Sequence, residues 1–176
     1  MPRFRLQGTR VLAVDLAGDT VKAKNGTVLA RVEYAKSAGG RPIAVTHAGA
    51  QVATRTVFVP ESWPIRVLAL DAKGAEKTGE AVVQDVAGPC CFAGDLVAKG
   101  RALPLLESGD HVALLDTGAY YFSNHFAYNS LPRPAVYGYT IGSDGAVAFS
   151  PVRAAQTQEE LLAESGAGFP PLRFQP

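Results

Sequence analysis

Two cysteines stand side by side in the segment GPCCFAGD, residues 88–95, and the chain contains no others. A thiol on a shaped loop can act as a nucleophile, as an acid or base, or as a metal ligand. Gly88 and Gly94 favour such a loop, because glycine allows backbone angles that other residues avoid. A disulfide between neighbours would distort the peptide that joins them, so we predict two free thiols. The residues alone leave open whether Cys90 and Cys91 do chemistry or pack in the core.

A second segment whose residues could form a functional site is DTGAYYFSNHFAYNSLPRP, residues 116–134. It combines aromatic rings with polar groups, among them Tyr120, His125 and Asn129. Such a mixture can line a ligand site, because tyrosine and asparagine offer orienting hydrogen bonds on an apolar frame. An aromatic turn buried against a sheet explains the same residues equally well, and His125 alone does not indicate a catalyst.

Arg55 lies in QVATRTVFV, residues 51–59, which its Val and Thr content predicts to be a strand. Strand alternation would then place Ala53, Arg55 and Val57 on one face. An arginine on an otherwise apolar face can bind a carboxylate. An arginine on an edge strand that reaches into solvent is the alternative.

Composition narrows the class of protein. The 176 residues are 47% hydrophobic with a formal net charge of +1, which suits a globular domain and gives no basic surface for nucleic acid. No run of about 18 apolar residues predicts a membrane span, and the first residues lack the apolar stretch of a secretion signal. These features, with two free thiols, favour a cytoplasmic protein. No cysteine or histidine follows the pair at the spacing of a zinc site, so no metal is predicted.

Most of the chain has the pattern of β-strands. Short runs rich in Val, Thr, Ile and Tyr alternate with Gly, Asp, Asn and Pro, and we count roughly ten of them, as expected for a barrel or sandwich. Asn25-Gly26 and Asp144-Gly145 each lie between two such runs and predict hairpin turns, because both residue types tolerate positive φ.

One helix is predicted, near the end of the chain. Thr157 and Glu160 have the spacing of a capping box, in which each side chain bonds the backbone N–H of the other. We therefore predict an all-β fold, a barrel or sandwich, with one short C-terminal helix. The expected organisation is a single β-domain over residues 1–153, a helix over 154–166 and a flexible tail over 167–176.

Several motifs together resemble a known family. GPCCFAGDLVAKGRALPLLESGDHVALLDTGAY, followed by YNSLPRPA, resembles the C-terminal β-domain of the pyridoxal-phosphate-dependent decarboxylases of the alanine-racemase-like fold (fold type III), which include diaminopimelate and ornithine decarboxylases. The shared pattern is Gly-Pro-x-Cys, three residues and Asp, then a Gly-Asp strand, then Gly-Ala-Tyr, Tyr-Asn and Arg-Pro. The resemblance covers about residues 26–153. The opening 29 residues instead resemble the start of a bacterial β-rich family related to a mitochondrial inner-membrane biogenesis factor. This second resemblance suggests a different origin for residues 1–25.

The resemblance implies roles for individual residues. Cys91 matches the family's active-site cysteine, which donates a proton or contacts substrate, and Cys90 then takes a variable, core-facing position. Tyr120 matches a tyrosine that approaches the cofactor phosphate, and Arg55 loosely matches an arginine that holds a substrate carboxylate. Phe92 stands where relatives usually carry an acidic residue that binds the distal amine of the substrate. An apolar ring cannot bind that amine, which argues against a diamino-acid substrate.

The family's cofactor lysine and phosphate loop belong to an N-terminal (β/α) barrel, and none of the six lysines here stands in such a context. Pyridoxal phosphate is therefore expected only together with a barrel-bearing partner. Three functions stay open. One is a binding or assembly module that is not catalytic by itself and forms a homo-oligomer or docks on a barrel-bearing protein. Another is a trans-acting subunit of a split amino-acid decarboxylase that contributes Cys91 and Tyr120. The third is a new small-ligand site in the aromatic segment.

Overall fold

The computed structural model describes residues 11–15, 26–118 and 120–173. These residues form nine strands, two α-helices and one turn of 3-10 helix. In chain order the elements are β1 (Val11–Asp15), β2 (Gly26–Ala38), β3 (Arg41–Thr46), α1 (Ala50–Phe58), β4 (Val67–Leu70), β5 (Ala81–Ala87), β6 (Leu96–Pro104), β7 (His111–Leu115), the 3-10 turn (Tyr128–Ser130), β8 (Ala135–Ile141), β9 (Val147–Arg153) and α2 (Gln158–Glu164).

The strands form one nearly closed, barrel-like sheet in which β2 is the central element. The first half of β2 pairs with β1 on one side and β7 on the other, and its second half pairs with β3. The full order is β6-β5-β3-β2-β1-β8-β9, with β4 added beyond β7. β6, at one end of this order, lies against β4. The predicted barrel-like all-β fold is confirmed.

Alternating side chains of these strands build the core. In β2 the residues Val28, Ala30 and Val32 are buried, as expected for a strand whose successive side chains point to opposite faces. They meet Leu114 of β7 and Val86 of β5 in one cluster, and Val32, Val86 and Leu114 are 0% exposed. Burial of this apolar surface is the main favourable contribution to folding.

The predicted strand over residues 51–59 is wrong, because this segment forms helix α1. Its buried residues include Val52, Ala53 and Thr56, a helical spacing that fixes one face of α1 against the sheet. The Val and Thr content that favours a strand is overridden by this packing. Arg55 therefore projects from the exposed side of a helix, and the alternating strand face proposed for it does not exist.

Two local predictions at the end of the chain are confirmed. β8 and β9 form a hairpin whose turn contains Asp144 and Gly145, and Gly145 has a φ of 79°. α2 has the predicted capping box: Thr157 Oγ1 accepts from Glu160 N at 3.1 Å, and Thr157 N donates to Glu160 Oε2 at 2.7 Å. The predicted Asn25-Gly26 turn and the resemblance of the first residues fall mainly outside the described residues. No helix in the described part of the chain has the length and apolarity needed to cross a bilayer.

Replacing Leu114 with alanine tests the core. The side chain is fully buried, so the change removes apolar contacts and leaves a cavity, and we expect the free energy of unfolding to fall by about 2–5 kcal/mol. Unfolding in urea, monitored by circular dichroism, measures this change in the free energy of unfolding. Leu162→Ala is the matched control, because that leucine is 59% exposed and its loss should change stability by about 0.5 kcal/mol or less. Equal losses at the two positions would contradict the assigned core.

Candidate functional site

The cysteine loop joins β5 to β6 and is fixed by the side chain of Asp95, which is 3% exposed. One carboxylate oxygen accepts from Cys90 N at 2.7 Å, and the other accepts from Ala50 N at 2.6 Å. The backbone carbonyl of Asp95 accepts from Gly88 N at 2.9 Å, which closes the loop. Asp95 thus ties the loop to the first residue of α1. A carboxylate there also offsets the positive end of the helix dipole.

Two glycines make this arrangement possible. A Cβ added to Gly49 or to Gly88 would lie 2.3 Å from Asp95 Oδ2, closer than any side chain can approach. Gly88 is therefore needed for close packing. Neither Gly88 nor Gly94 has a positive φ, although the sequence led us to expect backbone angles at both that other residues avoid.

The two thiols are free and lie in different environments. Cys90 is buried, with Sγ 3.6 Å from Gln51 Oε1, and burial followed by the charge of Asp95 raises the pKa of its thiol to about 11. Cys91 is exposed, and its backbone N–H donates to Asn129 Oδ1 at 2.9 Å. Cys90 is thus a core residue, as expected, while Cys91 is open to solvent.

Beside Cys91 lies a cluster of aromatic rings from three segments, which we call the aromatic patch: Phe58, Phe92, Phe126 and Tyr128. Phe58 and Phe92 stack in parallel with ring centroids 5.6 Å apart. Tyr128 contacts Phe92 at 5.3 Å and Phe126 at 5.4 Å. Phe58 is 53% exposed and Phe126 is 38% exposed, so much of this apolar surface faces outward.

A second cluster, which we call the stacked arginine, consists of Arg55, Trp63 and Tyr120. The guanidinium of Arg55 lies 5.0 Å from the ring centroid of Trp63 and 5.5 Å from that of Tyr120. Within the described residues the guanidinium of Arg55 has no ion-pair or hydrogen-bonding partner, so its N–H donors stay available. Tyr120 is exposed and has a φ of 71°, an unfavourable angle for a bulky residue that often marks functional sites.

Helix α1 brings the two clusters onto one surface. Arg55 and Phe58 are three residues apart on its last turn, so they are neighbours on the same side of the helix. Arg55 contacts Tyr120, while Phe58 contacts Phe92, the residue next to Cys91. The structure therefore places the four predicted site residues on one surface: Arg55, Cys91, Phe92 and Tyr120. Phe58 and Trp63 were missed. The spacing of Phe58 from Arg55 indicates it only once α1 is recognised, and Trp63 lies beyond the end of α1, where no spacing signal points to it.

The aromatic segment over residues 116–134 combines the two alternatives that the sequence left open. Tyr121 is buried, its hydroxyl lies 2.6 Å from Thr56 Oγ1, and burial raises the pKa of its phenol. Tyr120 and Phe126 instead face outward as parts of the site. His125 is partly buried, and burial, followed by the charges of Arg133 and Arg153, lowers the pKa of its imidazole. The imidazole of His125 therefore stays neutral near pH 7.

Comparison with known proteins decides the family. The family described as "Pyridoxal-dependent decarboxylase, C-terminal sheet domain" matches residues 15–118. The chain belongs to this family. Its recognition from the Cys-Asp, Gly-Ala-Tyr and Tyr-Asn motifs is thereby confirmed.

Similar proteins share this domain and continue well beyond it. Diaminopimelate decarboxylase of Escherichia coli K12 is 33% identical over 154 residues, which are 83% of this chain and 35% of that protein. The enzyme of the same name from Pseudomonas fluorescens is 32% identical over 162 residues, 92% of this chain and 36% of that protein. A crystal structure of a diaminopimelate decarboxylase superposes with a TM-score of 0.70 at 31% identity, over 81% of this chain and 34% of the other. The chain thus spans about a third of the length of the relatives it matches.

Replacing Asp95 with alanine tests the anchor of the site. The buried N–H groups of Ala50 and Cys90 would lose their acceptor, so we expect a loss of about 2–4 kcal/mol in the free energy of unfolding. Thermal and urea unfolding measure it. Asp144→Ala is the control, because this carboxylate also accepts a backbone N–H, from Ala146, but in an exposed turn. A destabilisation by Asp95→Ala no larger than that of the control would contradict the anchoring role.

The two thiols should differ sharply in alkylation. Only the thiolate reacts, and the buried Cys90, with its pKa near 11, holds almost none at pH 8. We expect iodoacetamide at pH 8 to modify Cys91 alone in the folded protein and both cysteines in urea. Mass spectrometry of peptides locates the label. Labelling of Cys90 at the same rate as Cys91 in the folded state would show that the loop is not packed as described.

Proposed function

We propose that this chain works as the C-terminal sheet domain of a pyridoxal-phosphate-dependent amino-acid decarboxylase. In this role it supplies one wall of the active site, with Cys91 and Tyr120 as its reactive groups. The other wall, with the cofactor lysine, comes from a (β/α) barrel on the same polypeptide or another. One observation carries the proposal: the Cys91 thiol, the Tyr120 hydroxyl and the Arg55 guanidinium face outward together, with no hydrogen-bonding partner in the described structure.

The residues of this surface fit the phosphate and carboxylate groups that such a site must hold. Tyr120 Oη donates a hydrogen bond to a phosphate oxygen, and the planar guanidinium of Arg55 suits a carboxylate. Stacking on Trp63 orients that guanidinium before anything binds. Pyridoxal phosphate, when bound, serves as the sink for the electrons released as carbon dioxide leaves.

Cys91 is the group of this chain that moves a proton. Its Sγ donates to the carbon that has lost the carboxylate, which is general acid catalysis. Cys90 cannot take this role, because it is buried and burial raises the pKa of its thiol to about 11. Cys91 is exposed on this chain, so the barrel and the bound substrate must exclude the water that would compete as a proton donor, with the aromatic patch as the apolar wall beside the thiol.

A second function is favoured by a different observation. Apolar side chains are exposed at both the aromatic patch and the β8–β9 hairpin, where Ile141 is 59% exposed and Val152 is 54% exposed. Apolar surface of this kind marks interfaces between proteins. The chain alone would then be a binding or assembly module that self-associates or docks on a barrel-bearing protein. Light scattering on the purified chain tests this, and a strict monomer at high concentration would contradict self-association.

Replacing each cysteine in turn tests the decarboxylase function. The chain is combined with its barrel, fused or supplied as a second protein, and carbon dioxide release from amino acids is measured with pyridoxal phosphate present. Cys91→Ala should lower kcat by roughly 10²-fold or more with little change in melting temperature, because a proton donor is lost. Cys90→Ala, the control, should leave kcat near the wild-type value and lower the melting temperature, because it removes only a core side chain.

The same assay contains the outcome that rejects the proposal. An assembled protein that releases no carbon dioxide from any amino acid would not be a decarboxylase. Equal effects of the two cysteine substitutions on kcat would show that Cys91 is not its acid.

A further inference from the structure

The 3-10 turn Tyr128–Ser130 has a backbone conformation that is unfavourable for its residues. Asn129 has a φ of 56° and Ser130 has a φ of 50°, so both lie in the left-handed region. Asparagine adopts such angles more readily than most residues, but serine has no such advantage. No residue of the turn is buried, so packing in the core does not hold these angles. Contacts at the surface of the domain therefore hold them.

Successive residues of this turn contact successive residues of the cysteine loop. Asn129 Oδ1 accepts a hydrogen bond from Cys91 N at 2.9 Å, across 38 residues of sequence. The ring centroid of Tyr128 lies 5.3 Å from that of Phe92. The left-handed angle of Asn129 thus coincides with a contact to the residue that carries the exposed thiol, and strained residues are often found at functional sites.

The bond from Cys91 N completes the hydrogen bonding of a tight turn in the loop. Phe92 N donates to Cys90 O at 2.9 Å, which makes Cys91 the central residue of a γ-turn. The N–H of a central residue takes no part in such a turn, so another segment or water must accept it. Asn129 provides this acceptor, whereas Cys90 N donates to Asp95 Oδ2. Two different side chains therefore hold the amides of the two cysteines.

The peptide group that joins the two cysteines is consequently paired at both of its polar atoms. Its carbonyl oxygen, on Cys90, accepts from Phe92 N, and its N–H, on Cys91, donates to Asn129. These two bonds fix the plane of the peptide that leads into the exposed cysteine. Asp95 alone cannot do this, because its bond in the loop is to the preceding amide and leaves the peptide plane free to rotate.

We propose that Asn129 is a positioning residue for the Cys91 thiol, because it fixes the peptide from which that side chain projects. The inference rests on the proposed decarboxylase function. In that reaction the S–H bond of Cys91 breaks, and a C–H bond forms with the electron pair that carbon dioxide leaves behind. A proton donor must stand within hydrogen-bonding distance of the atom it protonates, so a thiol that samples several positions transfers its proton less often. Asn129 itself touches neither substrate nor cofactor.

Amide exchange in the isolated chain tests the contact. Asn129→Gly keeps the left-handed angle, which glycine adopts freely, and removes the acceptor. We expect exchange of the Cys91 N–H with water, measured by NMR, to become about fivefold faster, in line with the loss of one hydrogen bond. Asn129→Asp retains an acceptor oxygen and should exchange at or below the wild-type rate. Unchanged exchange at Cys91 in Asn129→Gly would overturn the proposal.

The matched control is Ser130→Gly. It relieves the neighbouring left-handed angle, and the described structure gives the Ser130 side chain no hydrogen bond to the cysteine loop. Exchange at Cys91 should then stay at the wild-type rate. Exchange at Cys90, whose N–H is held by Asp95, should be the same in all variants. Faster exchange at both cysteines in Asn129→Gly would indicate a general loosening of the loop and would overturn the specific role of Asn129.

A double-substitution experiment in the assembled enzyme separates positioning from stability. Asn129→Gly should lower kcat by about tenfold and leave KM within about twofold, because the proton is transferred after the substrate binds. Asn129→Asp should lower kcat less. In a Cys91→Ala background, Asn129→Gly should have no further effect, because Asn129 acts only through the thiol. A further loss of about tenfold in that background would assign Asn129 a merely structural role and overturn the proposal.

The two sets of measurements can fail separately. An assembled protein that releases no carbon dioxide from any amino acid rejects the proposed function, and exchange in the chain alone still decides whether Asn129 holds Cys91. Decarboxylation with an unchanged kcat in Asn129→Gly keeps the proposed function and overturns this inference.

Discussion

The carboxylate of Asp95 is the constraint on which the rest of the site depends. It is buried between the cysteine loop and α1 and accepts one backbone N–H from each. A buried carboxylate is costly unless its oxygens are paired, so the loop and the helix can settle only where both bonds form together. Gly49 and Gly88 are the residues that allow the two segments to come that close. This contact fixes the start of α1; the helix is kinked at Ala53, with φ of −124° and ψ of 40°, and Arg55 and Phe58 lie on the turn after the kink.

Within the site, buried residues that pack in the core stand next to exposed residues that can meet a ligand. Cys90 and Tyr121 point inward and pack in the core, while Cys91 and Tyr120, one residue away from each, face outward. The inward residues hold the backbone of the outward ones, which includes the strained φ of Tyr120. A reactive group held by a packed neighbour keeps its orientation before any ligand binds, which lowers the cost of binding.

The parts of the fold that were predictable are those set by short-range signals. The capping box of α2 and the Asp144-Gly145 turn need only neighbouring residues, and the position of Cys91 follows from a motif. Helix α1 was not predictable from its own residues. Val and Thr favour a strand, and the carboxylate that caps the helix lies 45 residues away in the sequence. The contacts of Arg55, Phe58 and Trp63 depend on that helix, so the surface they form emerges only in three dimensions.

The long strand β2 pairs along one half with β1 and β7 and along the other with β3. A slip of one residue in β2 would turn Val28, Ala30 and Val32 outward in the first half, whereas residues 33–38 are exposed in the second half. Burial therefore fixes the register of the first half, while the second half, beyond a shift of register between Val32 and Tyr34, is held mainly by its pairing with β3 and should open first. The partners of β2 extend from Val11 to Leu115, so the strand must recruit distant segments before it is stable. Folding should accordingly be slow for a domain of this size, since such pairings close long loops.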